Sequence, residues 1–349
     1  MKKFLAMLLT VAMLGGVLAG CSGGTASTPA PETTTPTASG APETTPVETV
    51  KLNIGYMPNY GSLWSVITAR EMGYFAEEGI EVTLTSFDSG PNIIAAMESG
   101  SINFGYIGDG AHKLCVQGNA SIIALSHISN GDAVSGGPNV KTLEDLKGKT
   151  VAYSSGTSSE TILTNALGSV GLTMDDITAM DMDASAVVTA MLSGGVDACA
   201  IWSPQTLTIL DQMEDATKLA DNMTFSDTSI SLASWITMPE YLETNRDVAV
   251  RFVRALFKAM DYAALEENYS QVAQWVADEL ALDYDSVYSQ RGDAQWLTGK
   301  EVVDGVADGT VEGYYQLQQE IMVSSGAITA EAKHGDLTLA RFDGDNGEY

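Results

Sequence analysis

The chain has 349 residues, 45% of them apolar, enough for one large domain or two ordinary ones with a substantial core. Its 17 Lys and Arg against 45 Asp and Glu leave a formal charge of −28, which repels nucleic acid and anionic lipid at long range. That balance argues against DNA or RNA as partners but leaves a small ligand open, because a pocket's local field can oppose the global one.

Residues 1–20 open with Lys2 and Lys3 and continue as an apolar run from Phe4 to Leu18. This is the pattern of a signal peptide, and the run is short for a membrane-spanning helix. The segment 21–49 begins at Cys21 and contains nine threonines and five of the chain's ten prolines, with no Leu, Ile, Met or aromatic residue. It has nothing with which to build a core and reads as a disordered linker spanning roughly 30 Å.

From residue 50 the pattern becomes globular and repeats itself. "AAMESGSINFGYI" (95–107) and "TAMLSGGVDACAI" (189–201) match at an offset of 94: Ala96, Met97, Ser99, Gly100 and Ile107 against Ala190, Met191, Ser193, Gly194 and Ile201. Upstream, "LNIGY" (52–56) corresponds to "KTVAY" (149–153), and each is followed by a small-residue loop and an amphipathic helix. "IEVTLTS" (80–86) and "ITAMDMD" (177–183) are the next strands. Two βαβαβ units result, each implying a mostly parallel sheet. Ligands of such sheets bind outside the carboxyl ends of the strands, so facing units would line a cleft with loops 57–62, 108–110, 154–159 and 202–205. Beyond them, 229–237 reads as a returning strand, and 246–266, 270–281, 299–308 and 311–324 as helices that pack on the first unit.

The cysteines and histidines are sparse. Cys115 and Cys199 lie in apolar stretches, either as buried hydrophobes or as a disulfide pair. His112, His127 and His334 show no metal-ligand spacing, and no cofactor or metal is expected.

Several segments resemble a known family. "IGYMPNYGSLWSVITAREMGYFAEEGIEVTL", "AAMESGSINFGYIGD", "LKGKTVAYSSGTSSETIL" and "VDACAIWSPQ" are similar to solute-binding proteins of the nitrate/sulfonate/taurine and thiamine-precursor type of ABC importer, over about residues 51–260. Leu18-Ala19-Gly20-Cys21 resembles the lipobox of bacterial lipoproteins, which implies lipidation of Cys21 and an extracytoplasmic, membrane-anchored protein. The resemblance implies an α/β, two-lobed Venus-flytrap fold that closes on a solute by hinge motion, with lobe 1 at 50–131 plus 232–349 and lobe 2 at 132–231. It implies a monomer that presents a solute to a permease and, through it, an ATPase. An enzyme is not expected: the chain lacks a Gly-x-Ser-x-Gly elbow.

Ligand candidates follow from the loops. Ser155, Gly156, Thr157 and Ser158 open a helix, where N–H groups and the dipole favour an anion, or where an ordinary Ser/Thr cap suffices. Asn59, Tyr60, Ser62, Leu63 and Trp64 occupy the equivalent place in the first unit, with the two aromatics either stacking on a ligand or packing the lobe. Gly108 and Asp109 follow the third strand, and Asp109 either accepts from an amine or caps a helix. Trp202 and Gln205 close the cleft from the second unit, Trp202 as a wall implied by the resemblance. This set suits a small anionic or zwitterionic solute of the sulfonate or taurine kind, or a planar vitamin precursor such as a pyrimidine. The four loops contain no Arg or Lys, which argues against a multiply charged anion.

Overall fold

A computed structural model describes residues 49–329. The expected leader, Cys21, almost all of the linker and the acidic C-terminal stretch lie outside the described residues.

Eleven strands form two sheets among the described residues. They are β1 (Val50–Tyr56), β2 (Ile80–Ser86), β3 (Phe104–Ile107), β4 (Ser121–Ser129), β5 (Ala133–Gly136), β6 (Thr150–Tyr153), β7 (Thr178–Asp181), β8 (Ala198–Ile201), β9 (Thr217–Asp221), β10 (Leu232–Thr237) and β11 (Ala294–Trp296). The first sheet runs β2-β1-β3-β10-β4-β11 and the second β7-β6-β8-β5-β9. Within each, the repeated strands pair in parallel: β1 with β2 and β3, and β6 with β7 and β8.

The duplication extends further than the local pattern shows. Each half has five strands, and its fifth crosses into the other sheet. There β5 lies antiparallel between β8 and β9, and β10 antiparallel between β3 and β4. Two connections therefore join the lobes, 130–132 and 222–231, and every backbone path through the hinge passes along them.

The helices cover the sheets with the faces that their sequences dictate. Arg246–Ala263 buries Val248, Phe252, Val253, Leu256 and Met260 at helical spacing. Phe252 stacks between Phe104 (centroids 4.3 Å apart) and Phe75 (5.4 Å), so this helix is fastened across the first sheet. Fully burying one such ring contributes about 2–3 kcal/mol. The second lobe has its own smaller cores, around Val151, Leu163 and Leu167 on one side and Val187, Met191 and Ile209 on the other. Cys115 and Cys199 are free and buried, one in each lobe, which settles the open alternative against a disulfide. Burial pushes both thiols up to about 12.

Candidate functional site

The site lies where the two sheets' carboxyl edges and the hinge come together. A cavity of about 70 Å³ is lined from lobe 1 by Asn59, Tyr106, Gly108 and Asp109, from lobe 2 by Thr157, Ser158, Trp202 and Ser203, and from the hinge by Gly131, Asp132 and Ser231. Gln290, Asp293 and Trp296 close one side from the start of β11. That volume corresponds to a handful of waters at roughly 10–15 Å³ each, the scale of a small solute.

The loop after β1 is shorter than its sequence suggests. The Asn59 side chain accepts from the Ser62 N–H at 2.8 Å and starts the helix Tyr60–Glu71 within the expected loop. Tyr60, Ser62, Leu63 and Trp64 thereby turn inward and do not line the cavity. Ser62 Oγ accepts from the Met57 N–H, and the Trp64 indole donates to Ser126 Oγ at 3.1 Å. Tyr60 packs edge-on against Trp296, with ring centroids 5.0 Å apart. Asn59 alone of this group reaches the cavity.

The Ser/Thr turn after β6 is similarly committed. The Ser155 N–H and hydroxyl both donate to Asp181, and the Gly156 N–H donates to Glu160 Oε2. Thr157 caps the Ser159 N–H, and Ser158 Oγ donates to Asp132 at 2.5 Å. Thr157 and Ser158 line the cavity, whereas Ser155 and Gly156 do not. Trp202 forms a wall; Gln205 starts the next helix and is not a lining residue.

Asp109 is 2% exposed and sits at the end of a buried relay. Gln318, on the C-terminal helix Thr310–Ser324, donates from Nε2 to Asp109 and, at 3.0 Å, to His112 Nδ1. An amide nitrogen only donates, so His112 Nδ1 accepts and its proton resides on Nε2, which donates to Ser234 Oγ at 2.9 Å. Ser234 in turn meets Tyr315 at 2.5 Å. Burial lowers His112 and His127 to about 3, so both rings are neutral. His127, which lines the cavity, meets Tyr106 at 3.3 Å and Ser126 at 3.1 Å.

The residues that sequence reasoning missed are the most informative. Asp132, 2% exposed, accepts from Ser158, from Asn222 at 3.0 Å and from Ser231 at 3.1 Å. Burial pushes its carboxyl upward, against those three donors. Asp293 stands on the other side of the hinge, and burial raises it to about 6. Asp109 is also raised to about 6 by burial, opposed by its bonds to Gln318 and Thr161 and reinforced by the nearby Asp132. Three carboxylates and no Lys or Arg line one cavity. The family resemblance implies a hinge near 121–135, where "HISNGDAVSGG" is small and flexible and contains Asp132, but Asp293 precedes a three-residue strand within the helical tail and carries no local signal.

A duplicated α/β body with swapped strands and an inter-lobe cleft defines the two-lobed periplasmic-binding-protein fold. The chain belongs to the NMT1/THI5-like family, whose model matches residues 62–267. A Brucella abortus relative provisionally named a binding protein is 29% identical over 84% of this chain and 92% of its own length. A Bacillus subtilis relative provisionally named an aliphatic sulfonates-binding protein is 27% identical over 64% of this chain and 68% of its own. The fold also matches the alkanesulfonate-binding protein of Xanthomonas axonopodis bound to MOPS, with TM-score 0.59 and 23% identity over 78% of this chain and 94% of that one. One solved structure of similar fold is a desulfurization enzyme, with TM-score 0.57 and 15% identity over 83% of this chain and 95% of that one, so the fold by itself hosts both binding and catalysis.

Proposed function

We propose that this chain is the extracytoplasmic receptor of an ABC importer, taking a small organic solute into its cleft and presenting it to the permease. The observation that carries this reading is the cavity itself, walled by both lobes and by the hinge, so that occupancy and closure are linked. The names of the sulfonate-binding relatives support the size and kind of solute. In this reading lobe 1 is 50–131 with 232–349, lobe 2 is 132–231, Cys21 carries the lipid anchor, and residues 22–49 tether the body to the membrane. The chain acts by binding and release, without catalysis. A zwitterion of the taurine kind fits the polar lining. A planar amino-heterocycle is the second reading, favoured by Tyr106, Trp202 and Trp296 in the wall.

Thermal unfolding of the protein against a panel of sulfonates, amino acids, carboxylates, nitrate and nitrogen heterocycles tests it. A native-state ligand stabilises by roughly 2.7 kcal/mol at a hundredfold excess over Kd. A shift confined to one chemical class supports the receptor reading; no shift across a broad panel contradicts it.

A further inference from the structure

We propose that the cleft requires a solute bearing a cationic nitrogen, a protonated amine or amidine, and that this group seats between Asp293, Asp132 and Asp109 beside Ser203. This deepens the receptor reading and rests on it.

The first observation is the charge of the lining. Asp109 follows β3, Asp132 lies in the hinge and Asp293 precedes β11, so three separate elements bring carboxylates to one cavity. The bases nearby are engaged elsewhere: Lys218, whose charge reaches Asp293, pairs with Asp221 at 2.7 Å. Lys113 pairs with Glu160 at 3.3 Å, and the Arg291 guanidinium lies over the rings of Tyr288 (4.0 Å) and Tyr269 (4.9 Å). The imidazoles of His127 and His112 are neutral. A ligand that is only an anion would enter beside three carboxylates, Asp109 and Asp132 fully buried and Asp293 half-buried, with no Lys or Arg lining the cavity, a costly arrangement at low dielectric.

The second observation is independent of that charge. Ser203 is 8% exposed and lines the cavity, yet its Oγ has no hydrogen-bond partner, and neither has the buried Oδ2 of Asp293. Buried hydroxyls and carboxylates are ordinarily bonded. The two side chains flank Gly131: a Cβ there would lie 3.2 Å from the Cβ of each. The Ser203 hydroxyl comes close enough to favour the ionised Asp293 carboxyl, but the two stop short of good hydrogen-bonding geometry, which leaves Ser203 Oγ and Asp293 Oδ2 each without a well-aligned partner. An ammonium or amidinium donates to both and supplies the missing positive charge.

The third observation limits the anionic half of the solute. Of the turn 155–159, Asp181, Glu160, Asp132 and Thr157 already take the Ser155 and Gly156 N–H groups, the Ser158 hydroxyl and the Ser159 N–H. The N–H groups of Thr157 and Ser158 are left for an acid. The cation is thus the required group, and the acid an accompaniment.

The test is calorimetric titration and thermal unfolding of the protein at pH 7.5 with matched pairs: taurine and ethanesulfonate, β-alanine and propionate, 2-phenylethylamine and 2-phenylethanol, alongside the broad panel. The amine of a pair binds and its amine-free partner is at least about tenfold weaker, the difference a lost charge-assisted hydrogen bond makes. With the best amine, Asp293→Asn weakens binding about tenfold or more, and Ser203→Ala weakens it less. An amine-free anion that binds as tightly as its amine partner overturns the proposal. So does unchanged affinity in a cooperatively folding Asp293→Asn protein. If no solute of either kind binds, the receptor reading fails and takes this proposal with it.

Discussion

Gly110 and Thr157 meet backbone to backbone across the cleft: a methyl group placed on Gly110 would lie 2.1 Å from the carbonyl carbon of Thr157. Gly110 belongs to lobe 1 and Thr157 to lobe 2, and both adjoin cavity-lining residues, so lobe closure and the site share this contact. Beside it the Lys113–Glu160 pair also crosses between the lobes, at 3.3 Å. Gly110→Ala holds the lobes apart. Solute affinity falls about tenfold or more while the unfolding temperature of the ligand-free protein changes little, because each lobe keeps its own core. Calorimetry and small-angle scattering check this; a variant that binds and compacts like the parent contradicts it. The half-exposed ion pair itself contributes little, so Lys113→Ala changes affinity by less than about fivefold.

The carboxylates set a pH dependence. Burial raises Asp109 and Asp293 to about 6 in the folded chain, above their ordinary value of 3.8. Between those values the folded state holds more protons than the unfolded one, so their contribution to stability falls as pH rises from about 4 to 6 and is level above. Asp293→Asn therefore raises the unfolding temperature of the ligand-free protein at pH 7.5, by about 2 °C or more, and leaves it nearly unchanged at pH 4. A variant equally shifted at both pH values would place the effect outside Asp293's ionisation. A cationic solute shows the opposite trend in binding, tightening as pH rises through about 6 and these carboxylates ionise.

Gln318 is a positioning residue, acting through Asp109 and His112 from a helix outside both repeats. Gln318→Leu leaves a buried carboxylate and an imidazole nitrogen short of a donor and costs about 1–3 kcal/mol of stability. It also raises the pH at which solute binding is half-lost, because Asp109 loses a bond that favours its ionised form. Gln318→Glu is worse, since it sets a second carboxylate against Asp109. Denaturant unfolding and a binding pH profile separate the two effects; an unaltered pH profile rules out the positioning role.

Trp64 and Trp202 divide packing from recognition. Trp64→Phe loses the bond to Ser126 and some core volume, costing about 2 kcal/mol of stability with no change in Kd. Trp202→Ala, a half-buried wall of the cavity, weakens binding several-fold with a smaller loss of stability. Reversed effects would mean that Trp64 reaches the solute.

Much of the fold was legible because its signals are local. The echo of 95–107 in 189–201 becomes β3 and β8, and the apolar spacing of Val248, Phe252, Leu256 and Met260 becomes one helix face. The exchange of fifth strands was not legible in the strands' own patterns; only the lobe bounds implied by the family resemblance, 50–131 with 232–349 and 132–231, anticipate it. Ser234 pairs with Ile107 and Ala133 with Ile201, partners far apart in the chain, and nothing in a strand's own pattern names so distant a neighbour. In the site, Thr157, Trp202, Gly108, Asp109 and Asn59 lie at strand ends where topology directs attention. Asp132 and Asp293 are single acids in a chain of 45, and only the folded hinge brings them together.

The most direct measurement is a crystal structure of the protein with whichever solute gives the largest thermal shift. The account predicts the solute within the cleft, its nitrogen about 3 Å from Asp293 and the Ser203 hydroxyl, and any acid group against the Thr157 and Ser158 N–H groups. A solute bound elsewhere on the surface, or in the cleft with an acid group facing Asp293, would contradict it.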